Sequence, residues 1–435
     1  MENCKVIEHI VPCSHIREYA RSTANREDDD LHLAVKQYKP LYEPQDGDLT
    51  IIACHASAFP KELYEPIWDK LFAQAISRSA GRRIRAIWIA DVANQNKSGV
   101  LNEGKLGNEP SWYDHARDYL HLVNYFRKEM IRPLAGFGHS MGGNVIVNLA
   151  LLHPRLLSTI VAIEPIIKKG TADMDFIGTY FLTLKKDKWP SRDAAMSSIL
   201  KSPFYAHWDK RVSGIFRREG LRELPTAVYP DDPSESKDTV TLTTTKHQEA
   251  LSFARKSFPD SRDQPLSEFT PNRVAHPDLG DERNRGNAFY RPENTMTFEK
   301  LPYLRPACLY IYGSKSHFKS SHAKGRKEKT EATGTATGGS GGAAEGKVKE
   351  LVTNGSHFVP FERPDAIAEL AGQWFDQQQE EWHALEAAER KYWEGVPQQQ
   401  KAMMDGDWMH WVNKIWGKQV SAAGKKRSPG PSSKL

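Results

Sequence analysis

The sequence predicts an α/β fold, with a mostly parallel sheet flanked by helices and a cap inserted after the sixth strand. Three observations carry this. Short apolar runs alternate with stretches of helical spacing from residue 49 to residue 163, the pattern of a parallel sheet covered on both faces. The alternation breaks at Pro165 and resumes only near Ala307. A glycine-rich turn, Gly138-His139-Ser140-Met141-Gly142, joins one apolar run directly to a helical one.

Composition narrows the functional classes. The chain has 435 residues, 39% hydrophobic and 26% charged, enough for one large domain with an insertion or for two domains. With 10% aromatics and 11 Trp, collagenous, coiled-coil and wholly disordered readings are excluded. The formal charge is +5, but Lys425, Lys426, Arg427 and Lys434 fall in a tail without acids. The body is therefore near neutral and gives no support to a nucleic-acid partner. The N-terminus lacks a basic segment leading into an apolar one, so no secretory signal is expected. No stretch approaches the roughly 20 apolar residues of a membrane span. Of the cysteines, Cys4, Cys13, Cys54 and Cys308, the last two lie in apolar runs. They read as core thiols of a reducing compartment, with neither disulfides nor a metal site.

The elements follow in order. Residues 6–11 and 31–38 alternate and suit an antiparallel pair at a sheet edge. Buried strands are expected at 49–54, 84–89, 134–138 and 157–163. A helix is expected over 112–129 with Asp114 and Asp118 facing solvent, and another from Ser140 to about Leu152. Residues 165–306 are polar and mixed, with a helix starting near Ser191 after Pro190, and form the cap. The sheet resumes at 307–312 and ends with 348–352. Between these, residues 319–346 carry a charged run and then TGTATGGSGG. This reads as a flexible surface loop, because it lacks the GK[ST] ending of a phosphate-binding loop. A long helix begins near Asp365. The organisation is thus core at 1–164 and 307–385, cap at 165–306, and C-terminal helices and tail at 386–435.

The chemistry is read from the turn at Ser140. Gly138 to Gly142 fits G-x-S-x-G between a strand and a helix, the nucleophile elbow of the α/β-hydrolase fold. Gly138 and Gly142 let strand and helix pass closely, and the helix N-terminus favours negative charge developing beside Ser140. The base should follow the last strand on a loop, and His357 does. No acid stands between the 307–312 strand and Glu328, whereas Glu164 ends the buried 157–163 strand. That gives the order Ser140, Glu164, His357. His139 is set aside because its side chain should point away from Ser140. Oxyanion donors are assigned to the backbone N–H groups of Met141 and of Ser57 in His55-Ala56-Ser57, with Ala56 as the neighbour that could replace Ser57.

Ser433-Lys434-Leu435, after a polar tail expected to be accessible, reads as a peroxisomal address, so a peroxisomal location and recognition by an import receptor are expected. Further stretches carry a resemblance: VIEHIVPCSHIREY, LHLAVKQYKPL, FPKELYEPIWDKL, AIWIADVANQNKSG, SWYDHARDYL, GHSMGGN, LHPRLLSTIVAIEP and TLTTTKHQEA. Together they resemble the fungal peroxisomal α/β-hydrolases of secondary-metabolite and host-selective toxin clusters. That family includes the AK-toxin-type hydrolases and the acyl-CoA hydrolase of mycophenolic acid formation. The resemblance implies a Ser–acid–His hydrolase of the peroxisomal matrix acting on a CoA thioester of a polyketide or fatty-acid-like intermediate. CoA then enters only as part of the substrate, and no cofactor is needed. The mycophenolate enzyme's pattern has Asp where Glu164 stands, and either carboxylate can orient the base. Lys185, Lys186, Lys188, Arg217 and Arg218 of the cap are candidates for CoA phosphates or for a solvated basic face. A carboxylesterase or lactonase with the same residues, and a non-catalytic ligand-binding homologue, are the competing readings. A homodimer is left open by the C-terminal helices, which have the cap or a second subunit to pack on.

Overall fold

Aliphatic and β-branched residues fill eight strands of one sheet. These are β1 (Cys4–Pro12), β2 (His32–Pro40), β3 (Leu49–Cys54), β4 (Ile84–Ala90), β5 (Leu134–His139), β6 (Thr159–Ile163), β7 (Ala307–Gly313) and β8 (Val348–Thr353). Their order is β1-β2-β4-β3-β5-β6-β7-β8. β1 and β2 pair antiparallel at one edge, with Cys4 opposite Pro40, and β2 pairs antiparallel with β4. From β4 to β8 every pairing is parallel. The computed structural model describes residues 1–77, 83–170, 176–259, 261–279, 288–318 and 321–420. Ser433, Lys434 and Leu435 lie outside the described residues.

Alternate side chains of the central strands feed two cores. On one face Ile51, Ala53, Ile87, Phe137, Val161 and Ile311 meet helix α1 (Glu65–Ser77) through Ile67, Trp68, Leu71 and Phe72. On the other, Ile52, Cys54, Trp88, Ile160 and Tyr310 meet α2 (Trp112–Tyr125) and α3 (Met141–Leu152). This two-sided burial is why the strands read as unbroken apolar runs. All four cysteines are free and buried. No helix among the described residues is long and apolar enough to cross a membrane.

Between β6 and β7 the chain builds helices at Ile177–Leu184, Arg192–Ile199, Lys210–Glu219, Lys246–Phe253 and Glu293–Lys300. Ser191 caps the second of these by accepting from Ala194 N–H. A three-stranded sheet (Lys188–Trp189, Val240–Leu242, Leu221–Glu223) joins them. Buried arginines tie this cap down: Arg255 pairs with Glu109 at 3.0 Å and Arg291 donates to Pro110 O at 2.9 Å.

Two expectations fail for a shared reason. Asp114 and Asp118 do not face solvent; both are buried. The connection between β1 and β2 lays Arg17 over them, donating to Asp118 Oδ1 at 2.7 Å and Oδ2 at 3.0 Å and pairing with Asp114 at 3.4 Å. Residues 319–346 are not simply a flexible loop. Among the described residues they hold helix α4 (Ala323–Ala332) with Lys329 wholly buried. The glycine-rich part then folds onto the Leu301–Leu304 turn through Gly334 N–H to Leu301 O and Ser340 N–H to Leu304 O, both 2.9 Å. In each case distant chain supplies partners that local composition does not reveal.

The chain divides into two compact units, Met1–Glu380 and Glu381–Leu435. The long helix α5 (Pro364–Gly395) contributes Ile367, Ala368, Ala371, Trp374 and Phe375 to the first unit's core. The second unit contains a helix at Gly406–Val412, capped by Asp405.

Removing Arg17 leaves Asp118 as an uncompensated buried charge. Arg17→Ala should therefore lower the unfolding free energy by about 3–5 kcal/mol, measured as a lower urea midpoint at unchanged m-value.

Candidate active site

Three strand ends converge. β5 delivers Ser140 in a left-handed turn, φ 56° and ψ −117°. Its N–H donates to Ile163 O at 2.9 Å, and its carbonyl accepts from Ile166 N–H at 3.2 Å. These bonds hold a conformation that a non-glycine residue adopts only under constraint. A Cβ on Gly142 would stand 2.2 Å from Cys54 O, and one on Gly138 would stand 2.3 Å from Gly142 O. Glycine at both positions lets the elbow pass between β5 and the end of β3.

Glu164 follows β6, also left-handed at φ 48°. It is wholly buried. Its Oε1 accepts from Gly313 N–H at 2.7 Å, and its Oε2 from the Ser316 and Ser321 hydroxyls at 2.6 and 2.7 Å. His357 Nδ1 lies 2.9 Å from the same Oε2, and His357 Nε2 lies 2.9 Å from Ser140 Oγ. An ionised carboxylate accepts only, so Nδ1 carries the proton and Nε2 is free to accept from the serine. Burial alone would raise the Glu164 pKa; the His357 bond and charge and the two serine hydroxyls outweigh it and hold it at about 2. The His357 loop crosses β7 at Gly313, where a Cβ would stand 2.2 Å from Ser356 O.

The loop after β3 is pinned at several main-chain polar groups. Ala56 C=O is 2.7 Å from His55 Nδ1, and Ala56 N–H donates to Tyr64 Oη at 2.9 Å. Ala58 N–H donates to Gln95 Oε1 at 2.6 Å, and Phe59 O accepts from Asn96 Nδ2 at 3.0 Å. No acceptor among the described residues meets Ser57 N–H or Met141 N–H. Ala56 N–H is already committed to Tyr64, so it is not the alternative donor. Trp208 and Tyr205 of the cap pack on Phe59, and Trp208 also packs on Phe361, at ring separations of 5.6, 6.5 and 4.9 Å. An apolar wall thus covers the polar groups and strengthens their electrostatics.

Of the basic cap residues, three are committed to carboxylates: Lys185 to Glu249, Lys188 to Glu235 and Arg217 to Asp193. Lys186 and Arg218 have no carboxylate partner among the described residues. Ser316, Ser321, Gln95 and Tyr64 escape the sequence reading. The stretch after β7 holds hydroxyl donors to Glu164 in place of an acid, and donors to an acid so distant in the chain leave no spacing signal.

Fold and geometry define an α/β protein with a serine–histidine–carboxylate cluster at the carboxyl ends of its strands. The alpha/beta hydrolase family model matches residues 51–370, and the chain belongs to that family. It is 39% identical to the type I acyl-CoA thioesterase mpaH' of Penicillium brevicompactum, over 88% of this chain and 90% of that protein. It is also 24% identical to the abhydrolase domain-containing protein AFT2-1 of Alternaria alternata, over 65% of this chain and 98% of that one. Among solved structures it resembles the peroxisomal alpha-beta-hydrolase Lpx1 of Saccharomyces cerevisiae in fold. The TM-score is 0.63 at 16% identity, covering 99% of this chain and all of that one.

The serine cage gives a pH-dependent prediction. Hydrogen bonds to a charged group contribute about 1.5–3 kcal/mol each, so Ser316→Ala/Ser321→Ala should destabilise the protein by roughly 3 kcal/mol. Glu164 is depressed from 4.5 to about 2 in the folded state. Its stabilisation is complete above pH 4.5 and is lost as pH falls toward 2. The gap between wild type and double variant in urea titrations should therefore narrow as pH falls through that window.

Proposed function

We propose that the chain is a serine hydrolase of a fungal secondary-metabolite (toxin) pathway. It cleaves the acyl-CoA thioester of a polyketide or fatty-acid-like intermediate in the peroxisomal matrix. The observation that carries this reading is the His357 imidazole, 2.9 Å from both Ser140 Oγ and Glu164 Oε2. The 39% identity to mpaH' supports the thioester as substrate. Ser433-Lys434-Leu435 supports the compartment and the import receptor as partner.

Ser140 Oγ attacks the thioester carbonyl while His357 Nε2 takes its proton. The carbonyl oxygen gains the negative charge and is held by the Ser57 and Met141 N–H groups. The C–S bond breaks, and the proton on His357 passes to the sulfur, so CoA leaves as a thiol. Water then attacks the acyl-serine, His357 takes its proton, and the carboxylic acid departs as Ser140 recovers its hydrogen. Glu164 keeps Nδ1 protonated and stabilises the imidazolium in both halves.

Purified protein on a panel of acyl-CoAs of varied length and unsaturation should release thiol. Ser140→Ala should lower kcat by about ten-thousand-fold or more, with an unchanged circular dichroism spectrum. Turnover unaffected in that variant removes Ser140 from the reaction. Faster cleavage of oxygen esters than of thioesters makes the protein a carboxylesterase or lactonase. Failure of a fluorophosphonate to label Ser140 makes it a ligand-binding homologue. Deleting Ser433–Leu435 should move a fluorescent fusion from peroxisomes to the cytosol, and unchanged puncta would refute the address.

A further inference from the structure

His139 was expected to point away from Ser140, and it does, but into a buried hydrogen-bonded chain. We propose that Tyr64 and His139 form a positioning relay that ties the oxyanion-side loop to the main chain of the base. The inference rests on the serine-hydrolase reading for its kinetic consequence, though not for its geometry. Ala56 N–H donates to Tyr64 Oη at 2.9 Å, Tyr64 Oη lies 2.8 Å from His139 Nδ1, and His139 Nε2 lies 2.9 Å from His357 O.

Proton counting assigns every link. Ala56 N–H can only donate, so the phenol oxygen accepts there and its single hydrogen points to Nδ1. His139 Nδ1 is then the acceptor, and Nε2–H donates to the His357 carbonyl. Tyr64 and His139 are wholly buried, and Ala56 and His357 are buried, so a broken link leaves an unsatisfied polar atom. Burial, and next the His357 charge, hold the His139 pKa down at about 3, while burial drives Tyr64 up, so neither ionises in the working range. Phe361 packs on both rings, at 5.2 and 5.3 Å, and fixes their planes. The relay spans the two sides of the reacting centre. One end fixes the peptide preceding Ser57 N–H, and the other fixes the backbone from which the imidazole projects. Neither residue reaches Ser140 Oγ, so both act through others.

The test uses p-nitrophenyl acetate and a fluorophosphonate probe with wild type, Tyr64→Phe, His139→Leu, His139→Gln and His139→Asn. A glutamine amide can stand at the Nε2 position and donate to His357 O; asparagine is too short. Tyr64→Phe, His139→Leu and His139→Asn should lose about 10- to 100-fold in kcat per folded molecule, as expected for misplacement on the ångström scale, with KM unchanged. His139→Gln should recover most of that loss. If His139→Leu fails to fold, the comparison of glutamine with asparagine decides. Equal kcat in those two, or wild-type kcat in Tyr64→Phe, overturns the relay. Imidazole nitrogen NMR gives a readout independent of turnover. At neutral pH His139 should be the neutral Nε2–H tautomer that the hydrogen bonds require, and an Nδ1–H tautomer there overturns the assignment. A wild type that neither reacts with the probe nor hydrolyses the ester refutes the serine-hydrolase reading instead.

Discussion

A carboxylate with no contact to water dominates this site. Moving Glu164 out of solvent costs several kcal/mol unless donors replace the hydration it loses. It receives a backbone N–H from the end of β7, two hydroxyls from the segment that follows, and the imidazole from the loop after β8. Four donors therefore come from three stretches of chain. The charge organises them as much as they hold it: only while it is ionised does His357 present Nε2 to Ser140. The left-handed backbone at Glu164 belongs to the same constraint, since it turns the side chain at the end of β6 back toward β7, where Glu164 N–H meets Ile311 O at 2.8 Å.

Around that charge the fold excludes water and limits motion. The loop bearing Ser57 is held by its own His55, by Tyr64 of the helical turn Lys61–Tyr64, and from the β4 side by Gln95 and Asn96. Gln95 also donates to Ser252 Oγ at 3.0 Å, and Asn96 N–H to Thr244 Oγ1 at 2.9 Å. Both acceptors belong to the cap. The cap is thus coupled to the loop bearing Ser57 by polar bonds as well as by Trp208 and Tyr205. In the proposed reaction, preorganisation of this kind leaves little rearrangement for the moment at which charge develops.

The architecture was largely legible because its signals are local. A strand buried on both faces must be apolar along its length, and LTIIAC, IRAIWI and ACLYIY show it. The elbow was legible because steric crowding demands glycine two residues either side of Ser140. His357 and Glu164 were found by chain order relative to strands, which is topological information carried in one dimension. Asp114 and Asp118 were misplaced because helical spacing makes them look solvent-facing, and only the packing of residues 14–18 brings Arg17 over them. The glycine-rich stretch before β8 was misread because low complexity resembles a linker until the Leu301–Leu304 turn offers it acceptors.

The sequence by itself determined where the strands run and which polar side chains follow their carboxyl ends, because periodicity and glycine spacing are properties of neighbouring residues. Tertiary structure decided how those side chains are held. The hydroxyls that cage Glu164, the amide of Gln95 and the phenol of Tyr64 act across 8 to 157 positions of chain. A hydrogen bond depends on distance in space, and separation along the chain says nothing about it until the sheet has formed.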